Sequence, residues 1–155
     1  MPDQKHATLF ELFNEIGIIE QLSRASLEAR LPDGLIAPHF TVLNHLVRLG
    51  DGKAPIDIAR AFQVPKTTLT HTLKGLESHG LIQMRPNPED GRSKLVYLTD
   101  AGRALRQDTI SAMAPDFDRL IEGVDVDMLA DVVPTLRALR VFLDDDKNRA
   151  PGPLG

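Results

Sequence analysis

The segment from Val64 to Thr99 constrains the fold of this chain more than any other stretch of the sequence. Its first part, Lys66–His79, carries leucines at three- and four-residue steps, as one buried helix face requires. Gly80 follows where a left-handed helix cap is expected. Two short, partly alternating runs, 81–85 and 94–98, then flank a loop that contains proline and glycine. The segment therefore predicts one helix followed by a two-stranded hairpin.

The two sides of the predicted helix differ in chemistry. Leucines at i, i+4 and i+7 form the core side, and the opposite stripe is rich in hydroxyl groups. Threonine is an indifferent helix former, so three threonines within four residues need a reason. An α-helix fits the major groove of B-DNA, where hydroxyls donate to or accept from base edges. For this helix taken alone, the alternative is that the hydroxyl-rich stripe is simply exposed to solvent and binds nothing. The candidates for base reading are Thr67, Thr68, Thr70 and His71, and those for phosphate contact are Lys66 and Lys74.

The hairpin loop places Arg92 at its tip, two residues after Asp90. An arginine at such a tip can enter a narrow minor groove, where the negative potential is strongest. Phosphates repel a carboxylate, so Asp90 is expected to hold the arginine or the loop in shape through a charge-assisted hydrogen bond. Alone, this loop is an ordinary turn with an exposed ion pair. After the preceding helix it favours a DNA-binding wing, with Arg85 and Lys94 as the remaining contact candidates.

The net charge of −4 argues against a nucleic-acid partner, but the charge is unevenly distributed. Residues 1–63 hold 6 Lys/Arg against 8 Asp/Glu, residues 64–106 hold 7 against 4, and residues 107–155 hold 5 against 10. The only basic segment is thus the one that contains the helix and the hairpin. An acidic remainder would be kept away from phosphates. Chance clustering of basic residues on a solvated surface is the alternative.

Several classes of protein are disfavoured by what the sequence lacks. It has no cysteine, which excludes disulfides and thiolate metal sites. It shows no targeting segment and no apolar run of about 18–20 residues, so a cytoplasmic protein with no membrane partner is expected. The histidine pairs His39/His45 and His71/His79 do not have zinc-ligand spacing, and no metal or cofactor is expected. Without a nucleophile elbow or a phosphate loop, an enzyme is not expected.

Further helices are predicted from apolar periodicity and from glycine and proline breaks. They cover 9–31 with a start near His6 or Thr8, 39–49, 55–62 with Ile56 and Ile58 inward, 100–113 with Thr99 as N-cap, a stretch after Pro115, and 127–146. The first and last helices are apolar over too wide an arc for a winged-helix core of about 65 residues. We therefore expect a homodimer in which these helices interleave. Folding of the helices back onto their own domain is the alternative.

Five short motifs follow one another within Thr41–Gly102: Leu76–Ile82, Arg85, Asp90–Ser93, Leu98–Thr99 and Gly102. In this order the stretch resembles the MarR family of winged-helix transcriptional regulators. The resemblance implies an obligate homodimer with a recognition helix in each major groove and a wing in each flanking minor groove. It also implies a short inverted-repeat operator and relief of binding by a small anionic or aromatic ligand. Pro65 replaces a frequent serine-type N-cap, and His71 replaces a frequent arginine.

The resemblance further implies an effector pocket between the first helix, the second helix and the helix after the wing. The candidate lining residues are Phe13, Gly17, Glu20, His39, Phe40 and Leu43, each of which has a place in the core as its alternative. The expected fold is mainly α with a small two- or three-stranded β-wing. It divides into an N-terminal dimerisation helix (1–34), a winged helix-turn-helix domain (35–99), C-terminal dimerisation helices (100–148) and a disordered tail (149–155). The function expected is that of a ligand-responsive repressor, with a winged-helix protein-interaction module as the alternative.

Overall fold

The computed structural model describes residues 3–149, with the side chains of 3–147, and the predicted tail from 150 onward lies outside the described residues. The elements in chain order are α1 (Gln4–Glu28), α2 (Ala37–Leu49), α3 (Pro55–Phe62), α4 (Lys66–Ser78), β1 (Ile82–Asn87), β2 (Asp90–Leu98), α5 (Asp100–Ala112), α6 (Ala114–Gly123) and α7 (Val126–Arg149). The mainly helical class with a small β-wing is confirmed.

One core lies beneath α2, α3, α4 and the hairpin. The predicted leucine stripe of α4 is confirmed, because Leu69, Leu73 and Leu76 are all buried. The prediction for Ile56 is wrong: its side chain is 41% exposed, whereas Ile58 is fully buried. Two residues along an α-helix correspond to a rotation of about 200°, so these two side chains cannot share one face.

The hairpin is antiparallel and longer than its predicted strands. Ile82 pairs with Leu98 and Met84 with Val96, and the register shifts after Pro86. Only Pro88 and Glu89 connect the strands. The sheet has two strands among the described residues. In place of a third strand, Lys53 forms an isolated bridge with Val96.

The predicted bounds of the first helix are wrong at both ends. Helix α1 begins at Gln4 because Asp3 caps it, its Oδ1 accepting the N–H of His6 at 3.0 Å. The helix ends at Glu28, not at Leu31, and the chain turns there. The Glu28 carboxylate accepts the N–H of Ala37 at 3.0 Å, which ties the end of α1 to the start of α2. Thr99 caps α5 as predicted, accepting the N–H of Gly102 at 3.0 Å.

The chain divides into two units. The first ends at Ala114 and contains α1 to α5 with the hairpin. The second begins at Pro115 and contains α7 and all but the first residue of α6. Helix α7 continues through Pro134.

Candidate nucleic-acid interface

Helix α4 turns its leucines into the core and leaves its polar stripe in solvent. All ten predicted contact residues are exposed: Lys66, Thr67, Thr68, Thr70, His71, Lys74, Arg85, Asp90, Arg92 and Lys94. Six of them lie on α4 and four on the hairpin. We call the exposed polar stripe of α4, from Lys66 to Lys74, the reading face.

The hydroxyl groups of the reading face are not equivalent. Thr70 Oγ1 donates to the carbonyl oxygen of Lys66 at 2.8 Å, so this hydroxyl keeps only its acceptor capacity. By contrast, the side chains of Thr67, Thr68 and His71 make no hydrogen bond within residues 3–147. These three have both donor and acceptor capacity available for base edges.

Four cations extend along α4 and the hairpin without a carboxylate partner. Within the part of the chain that the structure describes, Lys66, Lys74, Arg92 and Lys94 make no ion pair. Arg85 differs, because its guanidinium stacks 4.4 Å from the ring centroid of Tyr97 and donates to Gln83 Oε1 at 3.0 Å. Unpaired surface cations can neutralise phosphates without first losing an internal partner.

Asp90 holds the tip of the hairpin in shape through the backbone. Its Oδ1 accepts the N–H of Arg92 at 3.1 Å, and the Ser93 hydroxyl donates to its carbonyl oxygen at 3.2 Å. The prediction that Asp90 braces the loop is confirmed. The Arg92 side chain remains exposed.

The root of the hairpin is bonded to the connection between α2 and α3. Gly52 N–H donates to the carbonyl oxygen of Val96 at 2.7 Å, and Val96 N–H donates to that of Lys53 at 2.8 Å. The Asp51 carboxylate accepts the N–H of Leu98 at 3.0 Å. These bonds fix the base of the wing relative to α2.

A cavity of about 290 Å³ opens between α1, α2 and the start of α4. Its polar lining includes Glu20 and Arg24 from α1, and Thr41, Thr68 and Thr72 from the following helices. Arg24 Nε donates to Glu20 Oε1 at 2.8 Å. Sequence reasoning missed Arg24, although its i, i+4 spacing from Glu20 marks a helical ion pair.

Of the six predicted effector residues, Glu20 lines this cavity. The others lie elsewhere in the first unit. Leu43 is fully buried in the core, His39 is buried, and Phe40 is half-buried. Phe13 and Gly17 are exposed on α1.

The histidines are dispersed, and three or more metal-binding side chains do not come together anywhere in the described residues. His45 packs edge-on against Phe62, with ring centroids 4.9 Å apart, and burial lowers the pKa of its imidazole. None of the described helices combines the length and the apolar content that crossing a bilayer requires.

The sequence model of the MarR family matches residues 33–93, the stretch that contains α2, α3, α4 and the turn of the hairpin. These residues form a MarR family domain. The chain is also similar to solved structures of MarR from E. coli. A single-site mutant is 26% identical, with a TM-score of 0.69 over 83% of this chain and 95% of that one. The same mutant in complex with operator DNA is 25% identical, with a TM-score of 0.68 over 85% and 95%.

A third similar structure is the PcaV transcriptional regulator from Streptomyces coelicolor in complex with its natural ligand. It is 20% identical, with a TM-score of 0.63 over 80% of this chain and 87% of that one. The winged-helix fold of MarR family regulators is therefore confirmed for this chain. MarR family proteins are transcription regulators, which agrees with the expectation that this one is not an enzyme.

Proposed function

We propose that this protein is a sequence-specific, double-stranded DNA-binding transcriptional repressor that binds an inverted repeat as a homodimer and releases it on binding a small ligand. The reading face carries the proposal, because its free hydroxyl and imidazole groups lie on the exposed side of a helix beside unpaired cations. The similar E. coli protein has been solved with operator DNA. By this analogy α4 enters the major groove, and Arg92 reaches the flanking minor groove.

Dimerisation is supported by apolar surface that the single chain leaves in solvent. Helix α1 has no buried residue, and Phe10 and Leu22 on it are 73% and 69% exposed. Helices α6 and α7 also carry large exposed apolar side chains: Phe117, Leu120, Ile121, Met128, Leu129, Val133 and Phe142. Exposed apolar residues in such number mark an association surface. Because the apolar side of α1 is not buried in its own domain, a second copy of the chain is the partner we propose.

Selection of bound sequences from a random DNA pool tests this function. We expect the wild-type protein to select an inverted repeat with half-sites about one helical turn apart, and free protein to sediment as two chains. His71→Ala should relax the preference at one position in each half-site, because an imidazole with free nitrogens reads a base edge.

Arg92→Ala is the matched control, since it should weaken binding to all sequences alike. An equal affinity for selected and random DNA would contradict the proposal. Together with retained dimerisation, that result would favour the alternative, a winged-helix module that binds protein.

The cavity between α1, α2 and α4 is the ligand site that we propose. It contains a guanidinium, that of Arg24, which can bind a carboxylate in exchange for Glu20. Thr68 belongs both to the lining of this cavity and to the reading face, so an occupant contacts the helix that reads DNA.

Benzoate, an anionic aromatic probe, tests the site. We expect benzoate to weaken DNA binding by the wild-type protein, and Arg24→Ala to require about tenfold more benzoate for the same effect, because the charge-assisted hydrogen bonds are lost. Lys5→Ala, which removes another exposed cation of α1, should respond like the wild type. Equal benzoate sensitivity of all three proteins would exclude this cavity as the site.

A further inference from the structure

His39 links the first turn of α2 to its N-cap residue. The N–H of Ile36 donates to His39 Nδ1 at 2.9 Å, and the N–H of His39 donates to the Ile36 carbonyl oxygen at 2.9 Å. His39 is the third residue of α2, where a capping box has a glutamate or glutamine in the same role. Because Nδ1 accepts a hydrogen bond, the ring is neutral and carries its one proton on Nε2.

The other edge of the same ring lies against the recognition helix. A Cβ added to Gly75 of α4 would lie 2.5 Å from His39 Nε2 and 3.2 Å from its Cδ2, closer than any side chain tolerates. Any other residue at position 75 would therefore require the His39 ring to shift. The imidazole lies between the two helices. Gly75 is one helical turn after His71 of the reading face.

The charged groups around the ring disfavour a second proton. His71 of α4 and His79, the residue directly after α4, interact with the ring through their charges. Glu28 of α1 is bonded to the neighbouring Ala37 N–H, and Asp33 lies in the preceding loop beside His79. Within the described part of the chain His39 has no carboxylate partner. Burial is the largest effect and lowers the pKa of His39 below its ordinary 6.5. The hydrogen bond with the Ile36 backbone opposes this shift in part, and the charges of His79 and His71 add to it.

We propose that His39 is a positioning residue for the recognition helix and that this role requires its neutral ring. Acid therefore weakens DNA binding, because protonation breaks the Ile36 contact and displaces the ring from Gly75. This inference rests on the proposed DNA binding. A protonated ring has a hydrogen on both nitrogens, so Nδ1 would meet the Ile36 N–H donor to donor. Between the folded pKa and 6.5 the folded chain binds fewer protons at His39 than the unfolded chain. The stabilisation is therefore complete above 6.5 and is lost as the pH falls below it.

The test compares the wild type with His39→Gln, which keeps a capping-box acceptor for the Ile36 N–H and does not titrate. DNA affinity is measured from pH 7.5 to 5.5 at constant ionic strength. The ratio of the two affinities is the quantity of interest, because it cancels the effect of pH on the groups that both proteins share. We expect the affinity of the wild type to fall relative to that of His39→Gln as the pH is lowered across this range. His6→Gln, which removes an exposed histidine of α1, is the matched control and should keep the loss of the wild type.

A second measurement does not depend on DNA. His79 Nδ1 lies 2.8 Å from the Gly75 carbonyl oxygen, so this measurement is made in a His79→Asn background. There the amide resonance of Gly75 should shift with the titration of His39 and stay constant when His39 is replaced by Gln or Asn. Parallel affinity profiles of wild type and variant, or a Gly75 amide that does not titrate in the His79→Asn background, would overturn the inference. Absence of DNA binding at pH 7.5 in both proteins would instead sink the proposed function, and the Gly75 amide would still show whether His39 positions the helix.

Discussion

Replacing Gly102 with alanine is expected to lower the free energy of unfolding by about 3 kcal/mol. Gly102 is buried in the first turn of α5, and a Cβ there would overlap the carbonyl oxygen of Leu81 and lie 3.1 Å from its carbonyl carbon. The same Leu81 carbonyl accepts the N–H of Thr99 at 3.2 Å, so this backbone is already tied to the start of α5. Helix propensity alone predicts the opposite sign, since alanine is about 1 kcal/mol better than glycine in a helix.

Urea unfolding of the wild type and Gly102→Ala measures this difference. The control is Gly91→Ala near the tip of the hairpin, where a Cβ has no heavy atom within 4 Å and the stability should be almost unchanged. A Gly102→Ala protein as stable as the wild type would mean that α5 can move away from Leu81 at little cost.

The second large effect concerns DNA affinity. Simultaneous replacement of Lys66, Lys74 and Arg92 by alanine removes three unpaired cations from each chain, or six from the proposed homodimer. Each phosphate contact contributes about 0.9 to the slope of log affinity against log salt, so the slope should fall in magnitude by about five. Affinity at 0.1 M salt should fall by about a thousandfold.

The matched control replaces Lys5, Arg137 and Lys147, which are exposed cations outside the helix and hairpin that we propose to contact DNA. It changes the net charge by the same amount, so it separates local contact from overall charge. Equal salt slopes for the two triple variants would show that the hairpin and α4 do not contact the phosphates.

The fold was largely predictable because its signals are local. The leucine spacing of α4, the cap residue Thr99 and the left-handed Gly80 each reflect the conformation of a few neighbouring residues, and the structure has all three. The error at Ile56 was avoidable, since helical geometry separates it from Ile58. The cap at Asp3 was also visible, because aspartate is a preferred N-cap residue.

The contacts between elements were not predictable in this way. No spacing rule indicates that Gly75 leaves room for His39, 36 residues earlier in the chain, because the approach depends on how α2 crosses α4. Of the six residues predicted to line an effector pocket, Glu20 alone lines the observed cavity, because the rest of its lining comes from residues whose proximity depends on packing. The unequal hydroxyls of α4 also required coordinates, since Thr70 bonds its own backbone and Thr67 does not.

The hydrogen bonds hold the root of the hairpin in place but do not reach its tip, so the root and the tip can evolve at different rates. Val96 and Leu98 are bonded to the connection after α2, whereas the register shift after Pro86 marks the start of the tip. Two residues added to each strand between Lys94 and the tip would keep the alternation of faces and carry Arg92 about 7 Å farther out without disturbing the core. The reach of the wing can thus diverge between related proteins while the buried residues stay the same.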